Sequence, residues 1–228
     1  MQYRFHGKHA APSKESPMRL YQHPMSANSR AATLAALQLK APVELVFVDL
    51  AKGEQREPEY LKLNPNHRVP VLEDDGFHLW ESRAIMQYLA DKTPGQTVYP
   101  AEARARADVN RWLFWCGQHF APAIGIYFWE NLVKPMIGRG APDPAELKRA
   151  EPLFNEFAAV LDQHLVDRKW ICGTNLTLAD LSMAAVWACA APGKAPVAWY
   201  ANIQKWFVHV QGLEVWQQTE QMARAAAA

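Results

Sequence analysis

Cysteine is scarce in this chain, and its placement excludes more than its number does. Cys116, Cys172 and Cys189 are the only three in 228 residues, and no two of them form a CxxC pair or a zinc-ligand spacing. A disulfide framework and a dithiol redox motif are thereby excluded. Sparse, unpaired cysteine fits a reducing compartment, the cytoplasm, with each thiol acting as a small buried hydrophobe. Long apolar runs are also missing. The best, Met183–Ala191, falls well short of the ~18 residues that a membrane span needs. Met1–Pro17 has basic residues but no apolar core, so it does not read as a secretory signal. Neither sign of charge dominates: 24 Lys and Arg against 23 Asp and Glu leave a net charge of +1. That balance gives no electrostatic reason to expect nucleic acid or an anionic membrane as partner. There is no metal or nucleotide motif.

What remains is a foldable composition, 50% hydrophobic and 11% aromatic, long enough for one large domain or two small ones. Residues 1–17 have weak periodicity and are expected to form a mobile leader. Met18–Tyr21 reads as a strand and Ser26–Leu39, rich in Ala and Leu, as a helix. Val43–Asp49 has the β-branched enrichment of a buried strand. Pro58–Leu63 suits a short helix. Val69–Glu73 and Phe77–Trp80 flank Asp74-Asp75-Gly76, a hairpin signal, and Glu81–Asp91 follows as an amphipathic helix. The order β-α-β-α-β-β-α describes a compact α/β unit with a small mixed sheet over residues 18–92. Residues 93–101 carry the breakers of a linker. From 102 to 228 the pattern is all helical. A long aromatic helix over Ala101–Ile137 is expected to kink or divide at Pro122, and another follows from Pro144, with Pro152 expected to kink it or to begin a new helix. Helices are expected near Thr177, over Trp199–Val210 and over Leu213–Met222.

Four features bear on chemistry. Thr177-Leu-Ala-Asp180 is a capping box, a folding signal. Ser26 stands where the first helix begins, which suits an N-cap. The same geometry suits an anionic ligand atom, a thiolate included, beside free N–H groups and the positive helix end. Ser29 competes for the cap one turn on. No G-x-S-x-G surrounds Ser26, so it does not read as a nucleophile. Val69-Pro70 opens a strand. Proline suits an edge there, the bond is a candidate for the cis form, and the Val69 backbone is left to pair with an extended ligand. At the strand-to-helix junction, Ser82 and its neighbouring N–H groups suit a carboxylate and Glu81 an ammonium.

Together, a hydroxyl at a helix start, a Val-Pro segment and a Glu-Ser pair describe one ligand with zwitterionic ends. The arrangement resembles the glutathione S-transferase family, most closely its serine-type phi and theta classes. The matching stretches are His23–Arg30, Asn64–Pro70, Glu81–Leu89 and Trp170–Gly173 followed by Thr177–Asp180. The resemblance implies a thioredoxin-like N-terminal domain with a mixed four-stranded sheet and an all-α C-terminal domain. It implies a glutathione transferase that activates the thiol of glutathione, its co-substrate, for attack on a small hydrophobic electrophile. A binding or regulatory protein with little turnover, and a glutathione-dependent disulfide reductase or lyase, are the alternatives. By resemblance the activating hydroxyl is Ser26, the cysteinyl backbone pairs with Val69, and the γ-glutamyl group falls on Glu81 and Ser82. The glycyl end falls on Arg68, Gln55 and Arg56, the last two replacing a His-Lys pair frequent in phi enzymes. Met25, Phe120, Ile124, Tyr127 and Phe128 are the expected electrophile pocket. Asn28 occupies a place where some bacterial relatives carry cysteine, which argues against thiol redox chemistry there. A homodimer is implied; a metal is not.

Overall fold

The computed structural model describes residues 17–227, so the leader expected over residues 1–17 lies outside the described residues except for Pro17. The first half holds β1 (Met18–Gln22), α1 (Ala27–Gln38), β2 (Val43–Phe47), α2 (Pro58–Leu63), β3 (Val71–Asp74), β4 (Phe77–Trp80) and α3 (Ser82–Asp91). The strands form one mixed sheet in the order β2-β1-β3-β4. β1 runs parallel to β2 and antiparallel to β3, which pairs antiparallel with β4. The β3–β4 turn places Asp75 and Gly76 at φ 48° and 80°. A tight hairpin turn asks for two left-handed residues, and Asp-Gly supplies them.

One expectation is corrected here. Val43–Asp49 is not a buried strand: β2 is an outer strand of the sheet, and Phe47 on it is half exposed. β-branched residues suit a half-covered strand as well as a buried one.

The second half is helical: α4 (Ala103–Trp115), α5 (Ala121–Phe128), α6 (Lys134–Met136), α7 (Pro144–His164), α8 (Leu178–Trp187), α9 (Ala201–Gln211) and α10 (Glu214–Ala227). The helix expected over Ala101–Ile137 is divided by two π-helical stretches, Cys116–Phe120 and Trp129–Val133. Pro122 lies just after the first. A proline cannot donate to the preceding turn, and a π-stretch is one way for a helix to absorb that. Pro152, by contrast, does not begin a new helix: it sits inside an unbroken α7, which corrects that alternative.

α8 is the axis of the molecule, with all ten of its residues buried. It packs against α1, whose Ala31, Ala32, Ala35 and Ala36 let two backbones approach. Apolar burial is continuous from the sheet through α1 and α8 to α7 and α9, so one core joins the two halves. The capping box expected at Thr177 and Asp180 is present. Asp180 also accepts from Ile171 N at 2.8 Å and Trp206 Nε1 at 2.9 Å, so it braces the helical half as well as capping α8.

Candidate active site: two cavities meeting at Ser26

Ser26 is the N-cap of α1, with extended backbone (φ −86°, ψ 121°). Its Oγ accepts from Ser29 N at 3.3 Å, and its carbonyl accepts from Arg30 N at 2.8 Å. A hydroxyl used as acceptor keeps its own proton free to donate. The N–H groups of Ala27 and Asn28 have no partner among the described residues. The cap and ligand readings of Ser26 therefore coexist. Ser29 does not compete for the cap: it is fully buried, and its Oγ accepts from His23 N at 3.3 Å. His23 braces the same loop by accepting Met25 N on Nδ1 at 3.2 Å, and burial holds its pKa below the ordinary value. It stays a neutral acceptor, a role that the sequence signalled only as a His-Pro turn.

A cavity of about 390 Å³ opens beside Ser26. Of the residues expected to hold glutathione, Gln55, Arg68, Val69, Glu81 and Ser82 line it, with Asn28, Leu50, Asn64, Asn66, His67 and Pro70. Arg56 does not. It is exposed at the end of a short 3₁₀ turn, whereas Gln55 in the same turn places a buried, unpartnered Oε1 at the cavity.

The loop from Asn64 to Pro70 is built from behind. Tyr60 OH and Asn64 Nδ2 both donate to the Arg68 carbonyl, at 2.8 and 2.9 Å. Burial raises the Tyr60 pKa well above its ordinary value, so the phenol remains a donor. Asn64 is buried and its Oδ1 accepts from Asn66 N at 3.0 Å. The Val69–Pro70 bond is cis. The Val69 backbone is free, but not for the expected reason. β3 is an inner strand, and its pairing begins at Val71, opposite both Tyr21 and Trp80. Val69 lies past the reach of both neighbours, so its N–H and C=O have no partner among the described residues.

At the other side, Glu81 precedes α3 with φ 74° and ψ 109°, a backbone that only a well-determined site holds in a non-glycine residue. Its carboxylate has no ion-pair partner among the described residues, and neither has the Arg68 guanidinium. Ser82 is buried, and its Oγ lies 3.5 Å from Asn28 Oδ1. The cavity thus offers an unpaired anion, an unpaired cation and an open backbone pair between them.

Ser26 also lines a second cavity, of about 370 Å³ and mainly apolar. Met25 and Phe128 line it as expected, with Leu132, Cys189, Phe207 and Trp216 among the others. Phe120, Ile124 and Tyr127 do not, and this corrects the expected pocket. They lie at a spacing of four and three residues, on a helix face turned into the core. Phe120 and Ile124 are essentially fully buried; Phe120 stacks on Trp187, and Tyr127 meets Phe154 edge-on. Phe128, one residue on, points away from that face. Residues from Ala185 to Pro192 and from α9 and α10 complete the wall, and no local motif marked them.

No group of three His, Cys, Asp or Glu side chains suited to a metal occurs among the described residues. No helix there is long and apolar enough to cross a membrane.

Comparison with known proteins gives the family. The family model described as glutathione S-transferase, N-terminal domain, matches residues 16–91, and that for the C-terminal domain matches residues 120–214. The chain is 33% identical over 206 residues to glutathione S-transferase hmp2 of Hypomyces subiculosus, covering 87% of this chain and 95% of that protein. It is 32% identical over 209 residues to glutathione S-transferase 3 of Zea mays, covering 90% and 93%. Among solved structures, glutathione S-transferase I of maize, in complex with an atrazine glutathione conjugate, superposes with a TM-score of 0.81 at 26% identity, covering 92% and 99%. Fold and relatives agree: the chain belongs to the glutathione S-transferase family.

Proposed function

We propose that this glutathione transferase ionises the thiol of glutathione against Ser26 and directs the thiolate at an electrophile in the second cavity. The observation that carries the reading is the position of Ser26 on both cavities at once. The first cavity has the polarity that the tripeptide needs. Glu81 meets the γ-glutamyl ammonium and Ser82 its carboxylate, Val69 pairs with the cysteinyl backbone, and Arg68 takes the glycyl carboxylate. Gln55 accepts one further N–H.

A free thiol has a pKa of about 8.5, so only a few per cent is ionised at neutral pH. The Ser26 O–H, the N–H groups of Ala27 and Asn28 and the N-terminus of α1 all favour negative charge at the sulfur. Each pKa unit requires about 1.4 kcal/mol, which one charge-assisted hydrogen bond supplies. The thiol proton leaves to water. The sulfur then bonds to the electrophilic carbon as the bond from that carbon to its leaving group breaks. The leaving group departs with the electron pair, and Ser26 keeps its own proton throughout. The apolar second cavity excludes water and selects an uncharged, hydrophobic electrophile.

The protein is read as cytoplasmic and homodimeric. The outer strand β4 leaves Phe77 and Trp80 half in water, and Phe114 on α4 is more exposed still; a partner copy would cover such surface. The zwitterion reading is tested by titrating glutathione calorimetrically into Glu81→Gln and Ser82→Ala. Each is expected to weaken binding about tenfold or more, as loss of a hydrogen bond to a charged group does. Unchanged affinity in both would overturn the placement of the γ-glutamyl group.

A further inference from the structure

One side chain fastens the wall of the second cavity to the helix that Ser26 begins. Arg30 lies one turn into α1, and its N–H donates to the Ser26 carbonyl. Its guanidinium reaches across to α10. Nη2 donates to Glu220 Oε1 at 2.5 Å, and Nε donates to Thr219 Oγ1 at 3.1 Å. The guanidinium carbon lies 3.7 Å from the centre of a Trp216 ring. The three partners lie within little more than one helical turn, and Arg30, Trp216 and Glu220 all line the cavity.

The arrangement has a clear electrostatic logic. A cation in the first turn of a helix faces the positive end of the helix dipole. Arg30 is mostly buried there, 11% exposed, against 39% for Glu220. A carboxylate brought from α10 offsets both the dipole and the loss of water. Removing that carboxylate leaves the cation largely buried without its counter-charge, and the tie between α1 and α10 falls to the Thr219 hydrogen bond and the Trp216 ring. Neither carries the counter-charge, and the apolar contact beside them is Trp216 packed edge-on against Phe207 of α9. α10 supplies no residue to the glutathione cavity.

We propose that Arg30 and Glu220 form a latch that sets the width of the electrophile cavity and so the size of electrophile accepted. The proposal rests on reading the second cavity as the electrophile site. With the latch closed, Trp216 and Glu220 stand against the apolar wall and favour a small ring. With it released, α10 moves from α1 and larger ring systems enter. Arg30 is a positioning residue, since it acts through α10.

The test compares the full-length protein with Glu220→Gln, which keeps side-chain size and removes the charge. The probes are benzyl chloride and chloromethylanthracene. In both, the glutathione thiolate forms the C–S bond as the C–Cl bond breaks and chloride leaves, the thiol proton having gone to water. Only ring size differs. Glu220→Gln is expected to raise the kcat/KM ratio of the large to the small probe by about three- to tenfold, within the range that pocket contacts command. It is expected to accelerate hydrogen exchange of α10 amides and to leave the glutathione Kd unchanged. Raising salt should move the wild-type ratio in the same direction and leave the variant flat, because the pair is partly exposed. An unchanged ratio, with exchange in α10 as slow as in the wild type, overturns the latch. Phe128→Ala separates the two levels of the argument. If it leaves KM for both probes untouched, the second cavity is not the electrophile site and the latch falls with it. If it raises KM while Glu220→Gln leaves the ratio fixed, the cavity reading stands and the latch alone is wrong.

Discussion

Trp206 donates its indole N–H to Asp180 Oδ1 at 2.9 Å, so a carboxylate that caps one helix also fastens another. Asp180 is fully buried and accepts three more bonds: from Ile171 N at 2.8 Å and from Thr177 N and Oγ1, both at 2.9 Å. Asp180→Ala strands all four donors. It is expected to lower stability by about 3–5 kcal/mol, the cost of breaking a buried charged network. Chemical denaturation checks this. A loss under about 1 kcal/mol, the size of an ordinary cap, would contradict it.

Gly193 lies against the backbone of Phe128. A Cβ at this position would stand 2.8 Å from Phe128 N and 2.9 Å from its Cα, and backbone atoms cannot step aside as a flexible side chain does. Gly193→Ala therefore pushes the loop after α8 away from Phe128 and the wall of the second cavity. A loss of about 1–3 kcal/mol in stability is expected, as for other overpacked sites. KM for the electrophile should rise while the glutathione Kd holds. Steady-state kinetics beside calorimetry reads both, and an unaltered KM would contradict the placement of this loop at the cavity.

Cys189 lines the second cavity, yet burial pushes its thiol up to about 11. At neutral pH it is almost wholly protonated, and the thiolate is the nucleophile. Glutathione is therefore expected to be the thiol that reacts during turnover. Mass spectrometry after many cycles with an aryl halide should find Cys189 unmodified, and Cys189→Ala should keep kcat. Stoichiometric arylation of Cys189 at neutral pH would contradict this.

Much of this was legible in the residues, and the failures share a cause. Ser26 and the Glu81–Ser82 pair were readable because each sits at a helix start, where a few residues decide the geometry; Val69 was picked out for an edge position that the inner strand β3 does not give it. Asp75-Gly76 was readable because its turn demands left-handed backbone at both positions. Facing was not readable. Phe120, Ile124 and Tyr127 carry the same apolar signal as Phe128, and only packing against α7 and α8 decides which of the four meets solvent. Strand order was equally hidden. Nothing local to Val43–Phe47 says that it is an outer strand, or to Val71–Asp74 that it is an inner one. Asn64 and Arg30 act through partners 4 and 190 residues away, at most. The first reads locally as part of a turn, and the second has no local signature.

The central claim is that Ser26 lowers the thiol pKa of bound glutathione. The direct measurement is the ultraviolet absorbance of the thiolate in the protein–glutathione complex as a function of pH, with wild type and Ser26→Ala in parallel. The wild type is expected to titrate at least about one unit below the free value of about 8.5, and Ser26→Ala to return towards it with glutathione still bound. Losing that charge-assisted bond should cost turnover about tenfold to a hundredfold. Tight binding with no pKa shift in the wild type would contradict the account and favour a glutathione-binding protein without this activation.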